Sequence, residues 1–167
     1  MSGQLELWAD ARLPRTLNTS VHFSSASNEW ATDDEVFNAL DREFGFTLDV
    51  ASTVENAKCK QFFTQKENGL LQDWRGHVCW MNPPYGREIG KWIEKAYNEA
   101  QRGAIVVCLI PARTDTDYWH RWCFKGEVRF IKGRLKFGNH KNNAPFPSAI
   151  VIFRHITEKA KQLLSAL

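Results

Sequence analysis

The run AIVVCLI at residues 104–110 limits the fold of this chain more than any other feature. It has no polar break, and β-branched side chains crowd its centre. An apolar run of this length bounded by turn residues is a strand covered on both faces, and such strands belong to parallel sheets flanked by helices. The preceding segment supplies one such helix. Ile89, Trp92, Ile93, Ala96, Tyr97 and Ala100 recur at helical spacing, so residues 87–101 read as an amphipathic helix that Gly103 ends. Upstream of it, HVCWMN at 77–82 reads as a strand stopped by two prolines.

The same alternation extends to both sides. Thr32, Asp33, Asp34 and Glu35 make a helix start, with acids at the positive end of the helix dipole. Val36, Phe37, Leu40 and Phe44 then fall on one face, and Gly45 closes the helix. FTLDVA at 46–51 reads as a buried strand and 60–64 as a weaker one. Residues 68–74 read as a turn followed by a short extended piece. Downstream, 115–124 suggests a short helix, 127–131 and 148–154 strands, and 157–166 a last helix. No helix separates the last two strands, so that end of the sheet is expected to be antiparallel. Strands alternating with helices predict an α/β domain with a mostly parallel central sheet.

Residues 1–27 carry no period and are read as a poorly ordered arm, leaving 28–167 for the domain. No apolar run approaches the roughly 20 residues of a membrane span. The N-terminus lacks a secretory layout, so a cytoplasmic protein is expected. Cys59, Cys79, Cys108 and Cys123 show no zinc-knuckle spacing, so they are expected to be reduced thiols, and no metal is predicted. The net charge of +3 permits nucleic-acid binding without requiring it.

In an open parallel sheet, ligands bind beyond the carboxyl ends of the strands. Asp49, Asp73, Asn82 and Pro111 are expected along that rim. The segment Asn82, Pro83, Pro84, Tyr85 carries the sharpest chemistry. Two prolines fix two φ angles and remove two backbone donors. The carbonyl of Pro83 and the side-chain oxygen of Asn82 then form a rigid pair of acceptors, and Tyr85 adds a flat ring. A planar exocyclic amine could donate both hydrogens to those acceptors while its ring stacks on Tyr85. Such an amine is a poor nucleophile because its lone pair is delocalised. Acceptors set toward tetrahedral directions localise the lone pair, which is preorganisation and orientation rather than base catalysis.

This segment resembles the catalytic motif of amino-methyltransferases, written Asp/Asn/Ser-Pro-Pro-Tyr. Around it stand NEWAT at 28–32, FTLDVA at 46–51, GLLQDW at 69–74, WMNPPYG at 80–86, FIKGRLKF at 130–137 and APFPSA at 144–149. Taken in order they resemble the phage-type DNA N-6-adenine methyltransferases. The resemblance implies a single Rossmann-like domain dependent on S-adenosylmethionine, acting on the N6 amine of adenine in DNA. It implies the host cytoplasm if the chain is phage-encoded. It further implies Trp30 and Thr32 at the methionine end of the cofactor, Asp49 and Ala51 on its loop, Asp73 as acceptor for its adenine amine, and 82–85 as the target-base pocket. Ala51, Ser52 and Thr53 stand where a Gly-rich turn is usual, and Asp33 where relatives often place a proline.

A basic, aromatic-laced loop follows: Lys132, Arg134, Lys136, Phe137, His140 and Lys141, with Phe146 beyond. It reads as a phosphate-tracking loop beside the pocket, with Arg113 as a second phosphate contact. An enzyme that modifies a base extrudes it from the duplex, and stacking in the pocket offsets part of that cost. Three other readings share the motif: a protein glutamine methyltransferase, an enzyme for another nucleobase amine, and a DNA-binding relative without catalysis.

Overall fold

A computed structural model describes residue 32 and residues 34–136 and 143–155. The predicted arm over 1–27 and the predicted last helix at 157–166 lie outside the described residues.

The first helix, α1, spans Asp34–Phe44. Gly45, at φ 67°, ends it as the sequence predicts: its amide bonds Asp41 O at 2.8 Å, and Phe46 N bonds Asp41 Oδ1 at 2.8 Å. Strands β1 (Leu48–Asp49) and β2 (Gln61–Phe62) follow. A 3₁₀ turn (Gly69–Leu71) then leads to β3 (Val78–Met81). Helix α2 (Ile89–Gln101) crosses over to β4 (Ile105–Pro111). A short α3 (Asp117–Arg121) precedes β5 (Glu127–Phe130) and β6 (Ser148–Arg154).

The strands form one sheet in the order β2-β1-β3-β4-β6-β5. Pairings β2–β1, β1–β3 and β3–β4 are parallel. Pairings β4–β6 and β6–β5 are antiparallel. The architecture is therefore mixed α/β, mostly parallel, with the expected antiparallel end. The predicted strands at 46–51 and 60–64 shorten to two residues each. Ladder bonds such as Thr47 N to Val78 O (2.8 Å) and Val50 N to Trp80 O (3.1 Å) still flank β1.

Covering on both faces follows from the strand period. Trp80 meets Phe37 of α1 edge-on, with ring centroids 5.4 Å apart. Its neighbour Cys79 turns to the opposite face, where Glu99 of α2 approaches it. Strand β4 is buried from Val106 to Ile110, as the unbroken run at 104–110 requires. All four cysteines are free. Burial pushes the thiols of Cys59, Cys79 and Cys123 up to about 12, and that of fully buried Cys108 well above its ordinary value. Among the described residues no helix is long and apolar enough to cross a membrane.

Candidate active site

The chain leaves β1 for β2 on one side of the sheet, and β3 continues to β4 on the other. Strand order thus reverses between β1 and β3. Loops leaving their carboxyl ends part there, and the crevice between them is where ligands bind in open α/β sheets. A cavity of about 570 Å³ occupies this place, lined by Thr32, Asp49, Ala51, Asn82, Pro83 and Pro84 among others.

Asp49 ends β1 and is almost fully buried. Its Oδ1 accepts from Ala51 N at 3.2 Å, and its Oδ2 from Lys58 N at 3.0 Å. Burial raises its pKa above the usual carboxylate range, while the two amides and the Lys58 charge pull it back. One carboxylate therefore folds the loop 50–58 around itself, in the place where a Gly-rich turn is missing. Ser52 Oγ, on the cavity wall, is buried with no hydrogen-bond partner among the described residues.

The glycine that matters for backbone approach comes later. A Cβ on Gly69 would lie 2.1 Å from Val50 O, inside any contact distance. Asn68 before it takes the left-handed conformation at φ 53°, its Oδ1 accepting from Leu70 N at 3.3 Å. This Asn-Gly turn brings the 3₁₀ segment against the β1 loop and closes one cavity wall. Gly69 O receives Trp74 Nε1 at 2.9 Å, and Trp74 stacks on Trp92 of α2, another wall residue.

Asn82 follows the last residue of β3. Its Nδ2 donates to Thr32 Oγ1 at 3.0 Å, a contact across 50 residues of chain. In this arrangement Nδ2 faces Thr32, and Oδ1 is the acceptor end of the amide. Pro83 is buried, Pro84 is exposed, and both line the cavity. The sequence profile of the DNA N-6-adenine-methyltransferase (Dam) family matches residues 19–166. The chain belongs to this family. It is 32% identical over 117 residues to the DNA N-6-adenine-methyltransferase of Haemophilus phage HP1 (strain HP1c1), a match covering 67% of each chain. It is 33% identical over 92 residues to the protein of that name from Escherichia phage T1, covering 54% of this chain and 38% of the relative.

Tyr85 departs from its neighbours in the motif of this Dam-family chain. It is not on the cavity wall but buried beyond it. Its hydroxyl donates to Leu109 O at 3.3 Å, and its ring meets Phe146 edge-on at 5.5 Å. Burial raises its pKa above the ordinary phenol value, so the hydroxyl stays protonated. The Arg113 guanidinium lies over the other partner, 5.9 Å from the Phe146 ring centre.

Asp73 requires a correction. The sequence places it on the carboxyl rim, but the extended piece it was assigned to does not form a strand. It stands after the 3₁₀ turn, and the Trp74–His77 turn (His77 N to Trp74 O, 3.2 Å) leads directly into the amino end of β3. Asp73 is exposed and bridged to Arg75, whose Nε lies 2.7 Å from its Oδ2. The guanidinium holds its carboxyl well below the usual range. It does not line the cavity.

Lys132, Arg134 and Lys136 are exposed on the loop leaving β5, with Ala144 N tied back to Leu135 O at 2.8 Å. Strand β5 runs parallel to β4, so this loop leaves from the same rim as Arg113. Trp30, Phe137 and Lys141 lie outside the described residues. Lys58, Asn68, Gly69 and Trp92 are wall residues that the sequence reading did not assign to the site. The Asn-Gly dipeptide signalled a turn, and Trp92 was legible as a helix-face residue. Nothing in the sequence set Lys58 apart.

Proposed function

We propose that this chain transfers a methyl group from S-adenosylmethionine to the exocyclic N6 of adenine in DNA. The observation that carries this is Asn82, whose amide is oriented by Thr32 on the wall of the switch-point cavity. Family membership supports it, as does a sheet order compatible with a Rossmann-like methyltransferase.

The cavity suits a cofactor of this size, since small-molecule sites run about 300–1,000 Å³. Its wall offers a buried hydroxyl, Ser52 Oγ, awaiting a partner. Thr32, Ala51 and the loop held by Asp49 would contact the cofactor. When bound, the cofactor supplies an electrophilic methyl group on a sulfonium. Asn82 Oδ1 and the Pro83 carbonyl would accept the two hydrogens of the target amine and direct its lone pair outward.

Tyr85 would stack on the target base. Its ring now meets Phe146 at 5.5 Å, which leaves no room for a base between them. A base would stack on Tyr85 ring surface that Phe146 does not cover, or with Phe146 displaced. Because the Tyr85 hydroxyl is held protonated, it is not the proton acceptor. The surplus proton of the methylated amine would leave to solvent after transfer. Arg113, Lys132, Arg134 and Lys136, with Phe137 and Lys141, would track the DNA backbone.

The test is incubation with labelled S-adenosylmethionine and either DNA or protein, followed by nucleoside analysis. Label recovered as N6-methyldeoxyadenosine supports the proposal. Label on cytosine, on protein glutamine or nowhere overturns it.

A further inference from the structure

One charged pair, a cavity-wall lysine and its carboxylate partner, takes no part in the chemistry above. Lys58 lines the cavity wall with its side chain 17% exposed, and its Nζ is bonded to the 83% exposed Asp34 at the start of α1. The Nζ also lies 5.9 Å from the centre of the Phe37 ring. The other charged wall residues are committed elsewhere. Asp49 spends both oxygens on backbone amides, and Glu88 is bridged to Lys91 at 2.6 Å.

Lys58 is tied to Asn82 by two routes. Its backbone amide bonds Asp49, which is in register with Trp80, two residues before Asn82. Its side chain bonds Asp34, two residues beyond Thr32, which bonds Asn82 at 3.0 Å. Lys58 thus belongs to the wall that Asp49 holds, and Asp34, which does not itself line the cavity, follows two residues after the Thr32 that bonds Asn82. On the reading proposed above, the transferable methyl must face Asn82. The same sulfur carries, on a short methylene chain, an α-amino acid group with one carboxylate and one ammonium. That group must lie near Asn82 too.

We infer that Lys58 and Asp34 form a clamp for this zwitterion, with Lys58 Nζ receiving the carboxylate and Asp34 the ammonium. As they stand, the two residues satisfy each other. An ion pair with one partner so exposed contributes little to stability, so exchanging partners is inexpensive. Each charge keeps an opposite charge throughout, and the site is never left with an unpaired ion. The inference rests on the cofactor reading and adds the two residues that would select for its amino acid end.

Two probes separate this role from a structural one: S-adenosylhomocysteine, which has the amino acid group, and methylthioadenosine, which lacks it. Both are titrated calorimetrically into the full chain. Lys58→Gln should weaken S-adenosylhomocysteine about 10- to 100-fold, the range for losing a hydrogen bond to a charged group. It should leave methylthioadenosine unchanged. Lys58→Arg should restore S-adenosylhomocysteine to within a few-fold of wild type, and Asp34→Asn should show a smaller loss confined to that ligand. Equal loss of both ligands in Lys58→Gln overturns the clamp, because Lys58 then acts by shaping the loop. An unchanged S-adenosylhomocysteine affinity overturns it as well and leaves the cofactor reading standing. Wild type that binds neither ligand removes the cofactor reading and the clamp together.

Discussion

The two halves of the sheet are built on different principles. In the half with β4, β6 and β5, the seven-residue strands β4 and β6 pair along their whole length, from Ile105↔Arg154 to Pro111↔Ser148, and the four-residue β5 pairs along its own. The half with β1 and β2 has two-residue strands, and side chains do the rest. Asp49 gathers the loop to Lys58, Asn68 sets a turn, and Gly69 lets two backbones meet. Backbone ladders make the first half indifferent to most single polar side chains. In the second half one carboxylate holds a wall of the cavity. Segments of low local pairing are where binding function concentrates, because a wall must be free to take the shape of its ligand.

The contrast can be broken most directly at Asn82, where the two halves meet. Asn82→Ala is expected to reduce methyl transfer by about 10³-fold, the scale of losing a preorganised polar group. Affinity for S-adenosylmethionine should remain near wild type. Turnover near wild type would show that the amide does not act on the target. On the ladder side, Ile152→Ala should cost about 3 kcal/mol in urea unfolding, the usual cavity penalty for a buried Ile, and leave cofactor affinity untouched. A large drop in affinity would mean that the halves are coupled after all.

A smaller effect is expected on the rim. Arg134→Ala with Lys136→Ala should weaken DNA binding and flatten the slope of log affinity against log salt by up to about 2, one contact each at about 0.9. Cofactor affinity should not move, and an unchanged slope would take these residues off the phosphate path. The smallest effect is expected at Asp73. Asp73→Ala breaks only an exposed pair with Arg75, so cofactor affinity should stay within about twofold of wild type and stability within about 1 kcal/mol. A clear loss of affinity would return Asp73 to the site and put the position of its loop in question.

Acid should act on buried Asp49 before it acts on the ion pairs at the surface. Burial raises the folded-state pKa of Asp49 above its ordinary value of 3.8. The folded state then holds that proton more tightly than the unfolded state. At neutral pH the buried carboxylate subtracts from stability, and that penalty fades as pH falls through the raised value toward 3.8. Protonation also changes the acceptor that holds the loop. Cofactor binding is therefore expected to fall at a higher pH than the one at which the exposed pairs Glu43–Arg129 and Asp34–Lys58 are lost, since their carboxyl pKa values are lowered.

Periodicity served best where the ladder is long. The run at 104–110 and the strand Ser148–Arg154 needed no tertiary information, because all but the strand-end residues Ile105 and Arg154 answer to the same burial. The antiparallel end was readable from the missing helix between the last two strands. The Asn82 segment was readable because prolines write their geometry into the sequence. Asp73 misled because the stretch after Leu71 was taken for a strand, and only the turn at 74–77 shows which end of β3 it adjoins. Lys58 was invisible because its place comes from Asp49 gathering the loop, a contact of backbone to carboxylate that no residue pattern announces. Tyr85 was read by its motif, but its packing is decided by Phe146, some 60 residues away in sequence.

The four buried or half-buried thiols give the chain an experimental convenience. Reactivity toward maleimides and similar labels requires thiolate. Burial raises every native thiol, so the protein is expected to give a low background with such reagents. A single cysteine introduced at an exposed rim position such as Lys132 would be the dominant reactive sulfur. A fluorophore attached there could report the approach of a ligand to the rim without first stripping the native residues from the core.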